Sequence, residues 1–330
     1  MNRPTAYITR RVPQPAIDIV AAACDYAIWD REEQPVPREV LLREAAKADG
    51  LLTILSERID AALLDAASRC RVVANVAVGY DNVDVPELTR RGVLLTNTPG
   101  VLTETTADLA WALLMAAARR LVEGHKLIEA GRWVSWSPMF MVGQDVAGAT
   151  LGIVGAGRIG AAVARRAAGF DMRILYHNRR PAPELEARTG AQYRALDDLL
   201  READFVVVLL PLTPETRGMF GAREFALMKP TAVFVNAARG PIVKELELAE
   251  ALRQGRPWAA GLDVFEVEPI GADHPLLGLP NVVAVPHIGS ATVATRVRMA
   301  VTAATNLVAA LTGQPVPNPV NPEVLTDGRL

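Results

Sequence analysis

One arginine, one histidine and two carboxylates follow strand-like runs in the second half of this 330-residue sequence. They are Arg239 after the run Ala232–Asn236, Asp263 and Glu268 at and after the end of the run Ala259–Asp263, and His287 after the run Val282–Val285. In open α/β sheets, ligands bind outside the carboxyl ends of the parallel strands. We therefore expect these four side chains to converge on one edge of one sheet.

Such a set has the groups that reduction of a 2-oxo acid needs. A guanidinium holds a carboxylate and a carbonyl oxygen through two planar donors. An imidazole can protonate the developing alkoxide near neutral pH. A carboxylate behind the imidazole fixes its tautomer and favours its charged form. Each residue alone could be a structural histidine or a surface charge, but their joint placement favours catalysis.

A glycine-rich turn follows the strand-like run Thr150–Val154 and opens a helix. Its sequence is Gly155-Ala-Gly157-Arg158-Ile159-Gly160. The first glycine permits a tight turn, the second lets the backbone approach a pyrophosphate, and the third allows close packing of helix on strand. The strand, turn and helix in this order predict a dinucleotide site at the helix N-terminus.

The end of the next strand carries Asn178, Arg179 and Arg180. A site selective for NAD usually has Asp or Glu about 20 residues past the glycines, where it binds the ribose 2′-hydroxyl. A carboxylate would repel a 2′-phosphate, whereas Asn and Arg can bind one. We therefore predict NADPH as the cofactor, with NADH possible but weaker.

The elements that must position these residues alternate between strand-like and helix-like runs. One series of about five strands lacks a glycine-rich turn, and a second series of about six strands contains it. This pattern predicts an α/β fold with two doubly wound parallel sheets. We expect residues 1–100 with 290–330 to form the substrate domain, and residues 101–289 to form the cofactor domain.

Composition narrows the function further. Lys and Arg number 35 against 37 Asp and Glu, so no basic field for nucleic acid is expected. No apolar run approaches the roughly 20 residues that a bilayer requires, so we expect a cytoplasmic protein without a membrane partner. The four His and two Cys match no metal-binding spacing, so we expect no metal. The segment Gly131–Asp145 concentrates large apolar residues, which predicts that a second subunit or a ligand covers it.

Several longer motifs occur in a fixed order along nearly the whole chain. They are Val78-Gly79-Tyr-Asp-Asn-Val-Asp84, Thr105-Thr-Ala-Asp108, the glycine-rich turn, Pro211-Leu-Thr-Pro-Glu-Thr216, Asn236-Ala-Ala-Arg239-Gly240, Gly261-Leu-Asp263-Val-Phe-Glu266-Val-Glu268-Pro269 and Pro286-His287-Ile288-Gly289-Ser290. With them the sequence resembles the D-isomer-specific 2-hydroxyacid dehydrogenases. Through Trp136-Ser-Pro-Met and Asn178-Arg-Arg it is most similar to their glyoxylate/hydroxypyruvate reductases.

This resemblance implies roles for individual residues. Arg239 would bind the substrate, His287 would be the acid/base and Glu268 its partner. The backbone N–H groups of Val78 and Gly79 would hold the substrate carboxylate. Trp136 and Ser290 would complete the substrate site. The residues implied to contact the cofactor are Thr106, Gly155, Gly157, Arg158, Ile159, Gly160, Asn178, Arg179, Arg180, Pro211, Thr216, Ala237, Asp263, His287 and Gly289.

The resemblance also implies a Rossmann cofactor domain inserted in a flavodoxin-like substrate domain. It implies a homodimer as well, built on a dimerisation helix after Pro99 and an arm, both within residues 101–289. It leaves the substrate open. Glyoxylate or hydroxypyruvate is expected, and a 2-ketogluconate reductase or a phosphite dehydrogenase is the alternative within the same class of enzyme. An alternative from another class is a non-catalytic, dinucleotide-sensing binding protein with this fold.

Overall fold

The computed structural model of the protein describes residues 3–326. These residues divide into two compact units. The first unit contains residues 3–102 and 290–326, and the second contains Thr103–Gly289. Each unit is built on one sheet whose strands are all parallel. The α/β fold with two parallel sheets, which the alternating pattern predicts, is therefore confirmed.

The sheet of the first unit has five strands in the order β2-β1-β3-β4-β5. This is the flavodoxin-like order. The strands are β1 (Thr5–Ile8), β2 (Asp25–Ile28), β3 (Gly50–Thr53), β4 (Val72–Asn75) and β5 (Leu94–Thr96). Every residue of β3 and β4 is buried, as expected for central strands covered by helices on both faces.

Four helices connect these strands: α1 (Gln14–Ala23), α2 (Arg38–Ala45), α3 (Ala61–Ala66) and α4 (Val85–Arg90). Aspartates begin two of them. Asp60 accepts the N–H of Leu63, and Asp84 accepts the N–H of Glu87. Each cap satisfies a backbone donor that the first helical turn would otherwise leave unpaired.

The sheet of the second unit has seven strands in the order β12-β11-β10-β9-β6-β7-β8. They are β6 (Thr150–Val154), β7 (Arg173–His177), β8 (Gln192–Tyr193), β9 (Phe205–Val208), β10 (Val233–Asn236), β11 (Ala259–Leu262) and β12 (Val282–Ala284). This is the Rossmann order with one further strand, and the strand order reverses between β6 and β9. The strand that the sequence does not predict is β8, which has only two residues at the sheet edge.

The helices of the second unit are α5 (Thr103–Ala118), α6 (Leu121–Glu129), α7 (Arg158–Ala167), α8 (Pro183–Thr189), α9 (Leu196–Glu202), α10 (Ala222–Leu227) and α11 (Glu245–Arg253). Helix α5 packs against α7, β10 and β11. Glycine at position 261 of β11 permits a close approach, since a Cβ there would lie 2.9 Å from Leu113 Cβ of α5.

The chain then returns to the first unit through α12 (Val293–Leu311) and α13 (Glu323–Thr326). Helix α12 packs against α1, β3 and β4. Thr292 caps α12 by accepting the N–H of Thr295 at 3.3 Å. A Cβ on Gly50 of β3 would lie 2.7 Å from Leu307 Cδ1, so glycine permits this helix to lie on the sheet.

The segment 131–145, called the arm below, follows α6. Neither α6 nor residues 131–140 contain a buried residue. The large apolar side chains that the arm exposes are Trp133, Val134, Trp136, Met139, Phe140 and Val142. The sequence predicts that a second subunit or a ligand covers this apolar segment, and in a single chain the segment is exposed to solvent. Within residues 3–326, no helix combines the length and apolar character needed to span a bilayer.

Candidate active site

His287 lies three residues after the end of β12, at the carboxyl edge of the second unit's sheet. Its φ of 51° is in the left-handed region, which residues other than glycine rarely adopt. Its N–H donates to the carbonyl of Asp263 at 2.8 Å, which ties it to the end of β11. In this conformation the ring places Nδ1 2.7 Å from Glu268 Oε2.

Glu268 is held at both oxygens. Oε2 contacts His287, and Oε1 accepts the N–H of Phe265 at 2.9 Å. Burial alone would raise the pKa of Glu268. The hydrogen bond and charge of His287, the Phe265 N–H and the charge of Arg239 outweigh burial and hold that pKa below its ordinary value. Glu268 is therefore a carboxylate, which can only accept, so Nδ1 of His287 carries the proton and Nε2 is left for a ligand.

Arg239 lies in a turn that the last residue of β10 fixes. Asn236, which is buried, accepts the N–H of Ala238 at 3.1 Å and donates to the carbonyl of Arg239 at 3.0 Å. A Cβ on Gly240 would lie 1.8 Å from the carbonyl carbon of Phe265. Only glycine lets this turn lie on the loop after β11, and that contact brings Arg239 close enough to lower the pKa of Glu268.

A second carboxylate–imidazole pair supports the loop that carries Glu268. Glu245 Oε1 accepts the N–H of Glu266 at 2.7 Å, and Glu266 Oε1 accepts the N–H of Glu245 at 3.0 Å. Glu245 Oε2 lies 3.1 Å from Nε2 of His274, and both side chains are largely buried. Burial raises the pKa of Glu245, although its hydrogen bonds oppose the rise. The sequence pattern does not predict this pair, because neither residue follows a strand.

Asp263 anchors the chain directly after His287. Its two oxygens accept the N–H groups of Ile288 at 2.6 Å and Gly289 at 2.9 Å. Burial raises the pKa of Asp263 to about 6. A Cβ on Gly289 would lie 3.0 Å from Asp263 Oδ2 and 3.4 Å from Thr106 Cγ2, so three residues predicted to line the cofactor are packed together.

The glycine-rich turn has the shape that a pyrophosphate needs. Gly155 has a φ of 101°, and a Cβ there would lie 2.7 Å from the Leu209 backbone. A Cβ on Gly160 would lie 2.4 Å from the carbonyl oxygen of Gly155. Gly157, by contrast, faces open space and begins α7 without a side-chain cap. An uncapped helix N-terminus beside open space fits a phosphate group. Arg158 and Ile159 form the first turn of that helix.

Asn178 joins this turn to the end of β7. Its Oδ1 accepts the N–H of Ala156 at 2.8 Å, so the NH₂ group is what remains for a ligand. Arg179 and Arg180 follow it and are exposed. The loop after β9 is closed by Thr216, whose hydroxyl donates to the carbonyl of Pro211 at 2.8 Å. Ala237, at the end of β10, is buried.

The remaining candidates lie elsewhere in the chain. Val78 and Gly79 belong to the first unit, in the loop after β4, and Ser290 begins that unit's second segment. Trp136 lies on the arm with 77% of its surface exposed. The structure therefore brings together Arg239, Glu268 and His287, and it packs Asp263, Thr106 and Gly289 beside His287. Val78 and Gly79 are neighbours in one loop of the first unit.

Comparisons with known proteins agree with this geometry. Residues 111–289 match the model of the D-isomer specific 2-hydroxyacid dehydrogenase NAD binding domain. The glyoxylate reductase of Thermococcus kodakarensis is 51% identical over 327 residues, which cover 98% of each chain. The glyoxylate reductase of Aeropyrum pernix is 50% identical over 329 residues, again covering 98% of each chain.

A solved structure is similar as well. It is the NADPH-dependent glyoxylate/hydroxypyruvate reductase of Sinorhizobium meliloti in complex with NADP and malonate. It superposes with a TM-score of 0.83 at 32% identity, and the match covers 97% of each chain. The chain belongs to the D-isomer specific 2-hydroxyacid dehydrogenases, oxidoreductases that use a nicotinamide dinucleotide to interconvert 2-hydroxy and 2-oxo acids.

Proposed function

We propose that the protein is an NADPH-preferring reductase that converts glyoxylate or hydroxypyruvate into the corresponding 2-hydroxy acid. The observation that carries the proposal is the 2.7 Å contact between His287 Nδ1 and Glu268 Oε2, at the sheet edge where Arg239 also lies, in the turn after β10. An oriented proton donor beside a guanidinium matches the charge that develops when a 2-oxo acid is reduced.

In the proposed reaction, His287 donates the Nε2 proton to the oxygen on C2 as negative charge develops there. Glu268 keeps the other ring nitrogen protonated and stabilises the imidazolium. Arg239 holds the carbonyl and carboxylate oxygens, and the N–H groups of Val78 and Gly79 bind the carboxylate. The dinucleotide, when bound, supplies the hydride.

The preference for NADPH rests on the end of β7. Asn178 places no negative charge beside the ribose, and its oxygen is already used by Ala156. Arg179 and Arg180 supply cations for a 2′-phosphate. The related Sinorhizobium reductase was crystallised with NADP, which supports the same preference here.

A homodimer covers the arm in this proposal. Six large apolar side chains on residues 131–145 are exposed in one chain, more than a stable monomer usually leaves in contact with water. Trp136 would then reach the partner's active site. Light scattering should give the mass of two chains.

The test is NADPH oxidation followed at 340 nm with glyoxylate, hydroxypyruvate, pyruvate and 2-ketogluconate. We expect glyoxylate or hydroxypyruvate to be the best substrate. His287→Ala and Arg239→Ala should each lower kcat by about a thousandfold or more while the melting temperature and NADPH binding persist. Arg253→Ala, which removes an exposed arginine near the end of α11, is the matched control.

Two results would contradict the proposal. If His287→Ala kept a rate within a few-fold of the wild type, the acid/base role would be wrong. If the wild type bound NADPH tightly but turned over none of the four acids, the dinucleotide-sensing alternative would be favoured instead.

A further inference from the structure

The loop after β4 is held at its carbonyl oxygens by the segment that follows β5. The N–H of Thr98 donates to the carbonyl of Ala77 at 2.9 Å. The side-chain Nδ2 of Asn97 donates to the carbonyl of Val78, also at 2.9 Å. Two successive peptide groups of one loop are therefore bound by two successive residues of another.

This arrangement sets the direction of two backbone donors. In a planar trans peptide, the N–H points opposite to the C=O of the preceding residue. The N–H groups of Val78 and Gly79 therefore both point away from the Asn97–Thr98 segment. Neither donates to another group among residues 3–326. Consecutive N–H groups that face one way form a concavity suited to an anion.

Asn97 is itself fixed by two further asparagines. Asn306 of α12, which is fully buried, donates to the carbonyl of Asn97 at 3.1 Å. Asn318 donates to Asn306 Oδ1 at 3.2 Å and accepts the N–H of Asn97 at 3.4 Å. The backbone of Asn97, from which the side-chain amide extends, is thus anchored in the core of the first unit.

We propose that Asn97 is a positioning residue for the substrate carboxylate: it holds the carbonyl of Val78 and thereby aims the N–H of Gly79. The inference rests on the proposed function, in which Val78 and Gly79 bind that carboxylate. Nδ2 of Asn75 also donates to this loop, at 3.2 Å from the carbonyl oxygen of Gly79, and the Thr98 N–H is backbone and persists in every variant. Only the Asn97 contact holds the peptide group that carries the Gly79 N–H, so Asn97 is the residue to substitute.

The experiment compares Asn97→Asp and Asn97→Ala with the wild type. Aspartate has nearly the same shape but only accepts hydrogen bonds, so it repels the carbonyl of Val78 instead of holding it. Each variant should raise the KM for glyoxylate by roughly tenfold, with kcat changed by less than about threefold. NADPH affinity should be unchanged, since Asn97 lies outside the cofactor unit.

Asn281→Ala is the matched control. The side chain of Asn281 also donates to backbone carbonyls, those of Leu252 and Trp258, but in the second unit and before β12. Its loss should lower the melting temperature without raising the KM for glyoxylate. A role of Asn97 in stability alone would give this same result.

Binding of oxamate to the NADPH complex, measured by calorimetry, separates this inference from the proposed function because it needs no turnover. Oxamate keeps the carboxylate and cannot be reduced. Weaker oxamate binding by about tenfold in Asn97→Asp supports the positioning role even if glyoxylate is not the substrate. Wild-type oxamate affinity and KM in a folded Asn97→Asp variant would overturn it and leave the proposed function standing. No oxamate binding by the wild type would overturn both.

Discussion

Replacing Glu268 with glutamine removes the charge behind His287 with almost no change of shape. The carboxylate accepts from two groups, the imidazole at 2.7 Å and the Phe265 N–H at 2.9 Å. A glutamine side chain has one oxygen and one NH₂, so it can accept from only one of them. The substitution therefore tests charge and orientation at a single position.

The expected size of the effect follows from the geometry. Unit charges about 4 Å apart attract by about 4 kcal/mol at an effective dielectric constant of 20. Both side chains are about one third exposed, which reduces this to about 2 kcal/mol. At 1.36 kcal/mol for each tenfold change, loss of the pair lowers a rate that depends on the imidazolium by about 30-fold.

The assay is kcat/KM for glyoxylate reduction near pH 7 at saturating NADPH. Proton donation needs the imidazolium that the Glu268 carboxylate stabilises, so kcat/KM of Glu268→Gln should be about 30-fold lower than that of the wild type. Glu250→Gln, in an exposed pair with Arg253, should leave kcat/KM unchanged. An unchanged kcat/KM in a folded Glu268→Gln variant would refute the electrostatic role of Glu268.

Two further predictions concern cofactor choice and stability. Asn178→Asp should lower the ratio of kcat/KM for NADPH to kcat/KM for NADH by about a hundredfold. One oxygen of the aspartate would still accept the Ala156 N–H, while the other would repel a 2′-phosphate. An unchanged ratio would mean that Arg179 and Arg180 alone decide the preference. Burial raises the pKa of Asp263 from 3.8 to about 6, so the stability that this group contributes is present below about pH 4 and is lost as the pH rises through 6. We therefore expect the free energy of unfolding of the wild type, relative to that of Asp263→Asn, to be about 3 kcal/mol lower at pH 7 than at pH 4, as measured by urea unfolding. The same difference between the two proteins at both pH values would contradict this.

The contact between His287 and Glu268 could be expected from the sequence because both residues follow strands of one sheet. Parallel strands deliver their carboxyl ends to the same edge, so chain order alone brings these residues close. The glycine-rich turn was predictable from local geometry, since each glycine occupies a position where the backbone leaves no room for a side chain or must approach a ligand. The φ of 101° at Gly155 and the open space at Gly157 agree with this.

Other features depend on contacts that no local pattern encodes. Glu245 begins a helix and His274 lies in a loop 29 residues later, yet they meet at 3.1 Å and support the Glu268 loop. Strand β8 has two residues, too few for an alternating pattern. Helix α5 ends at Ala118 although apolar residues continue into α6, because Arg120 between them adopts a left-handed conformation.

Side chains hold the loop backbone near His287 by accepting from N–H groups, and they hold the loop of Val78 and Gly79 by donating to carbonyl groups. Around His287, carboxylates accept loop N–H groups: Asp263 from Ile288 and Gly289, and Glu268 from Phe265. Their negative charge also favours the imidazolium that the proposed reaction needs.

Around Val78 and Gly79 the holding side chain is a neutral amide that binds a carbonyl instead. A carboxylate there would repel both that carbonyl and the carboxylate of the substrate. A lysine could bind the substrate itself and would leave the direction of the Gly79 N–H unset. Asparagine supplies a donor of fixed direction without charge, so we expect Asn97→Asp to impair substrate binding at least as strongly as Asn97→Ala, although aspartate is the closer match in shape.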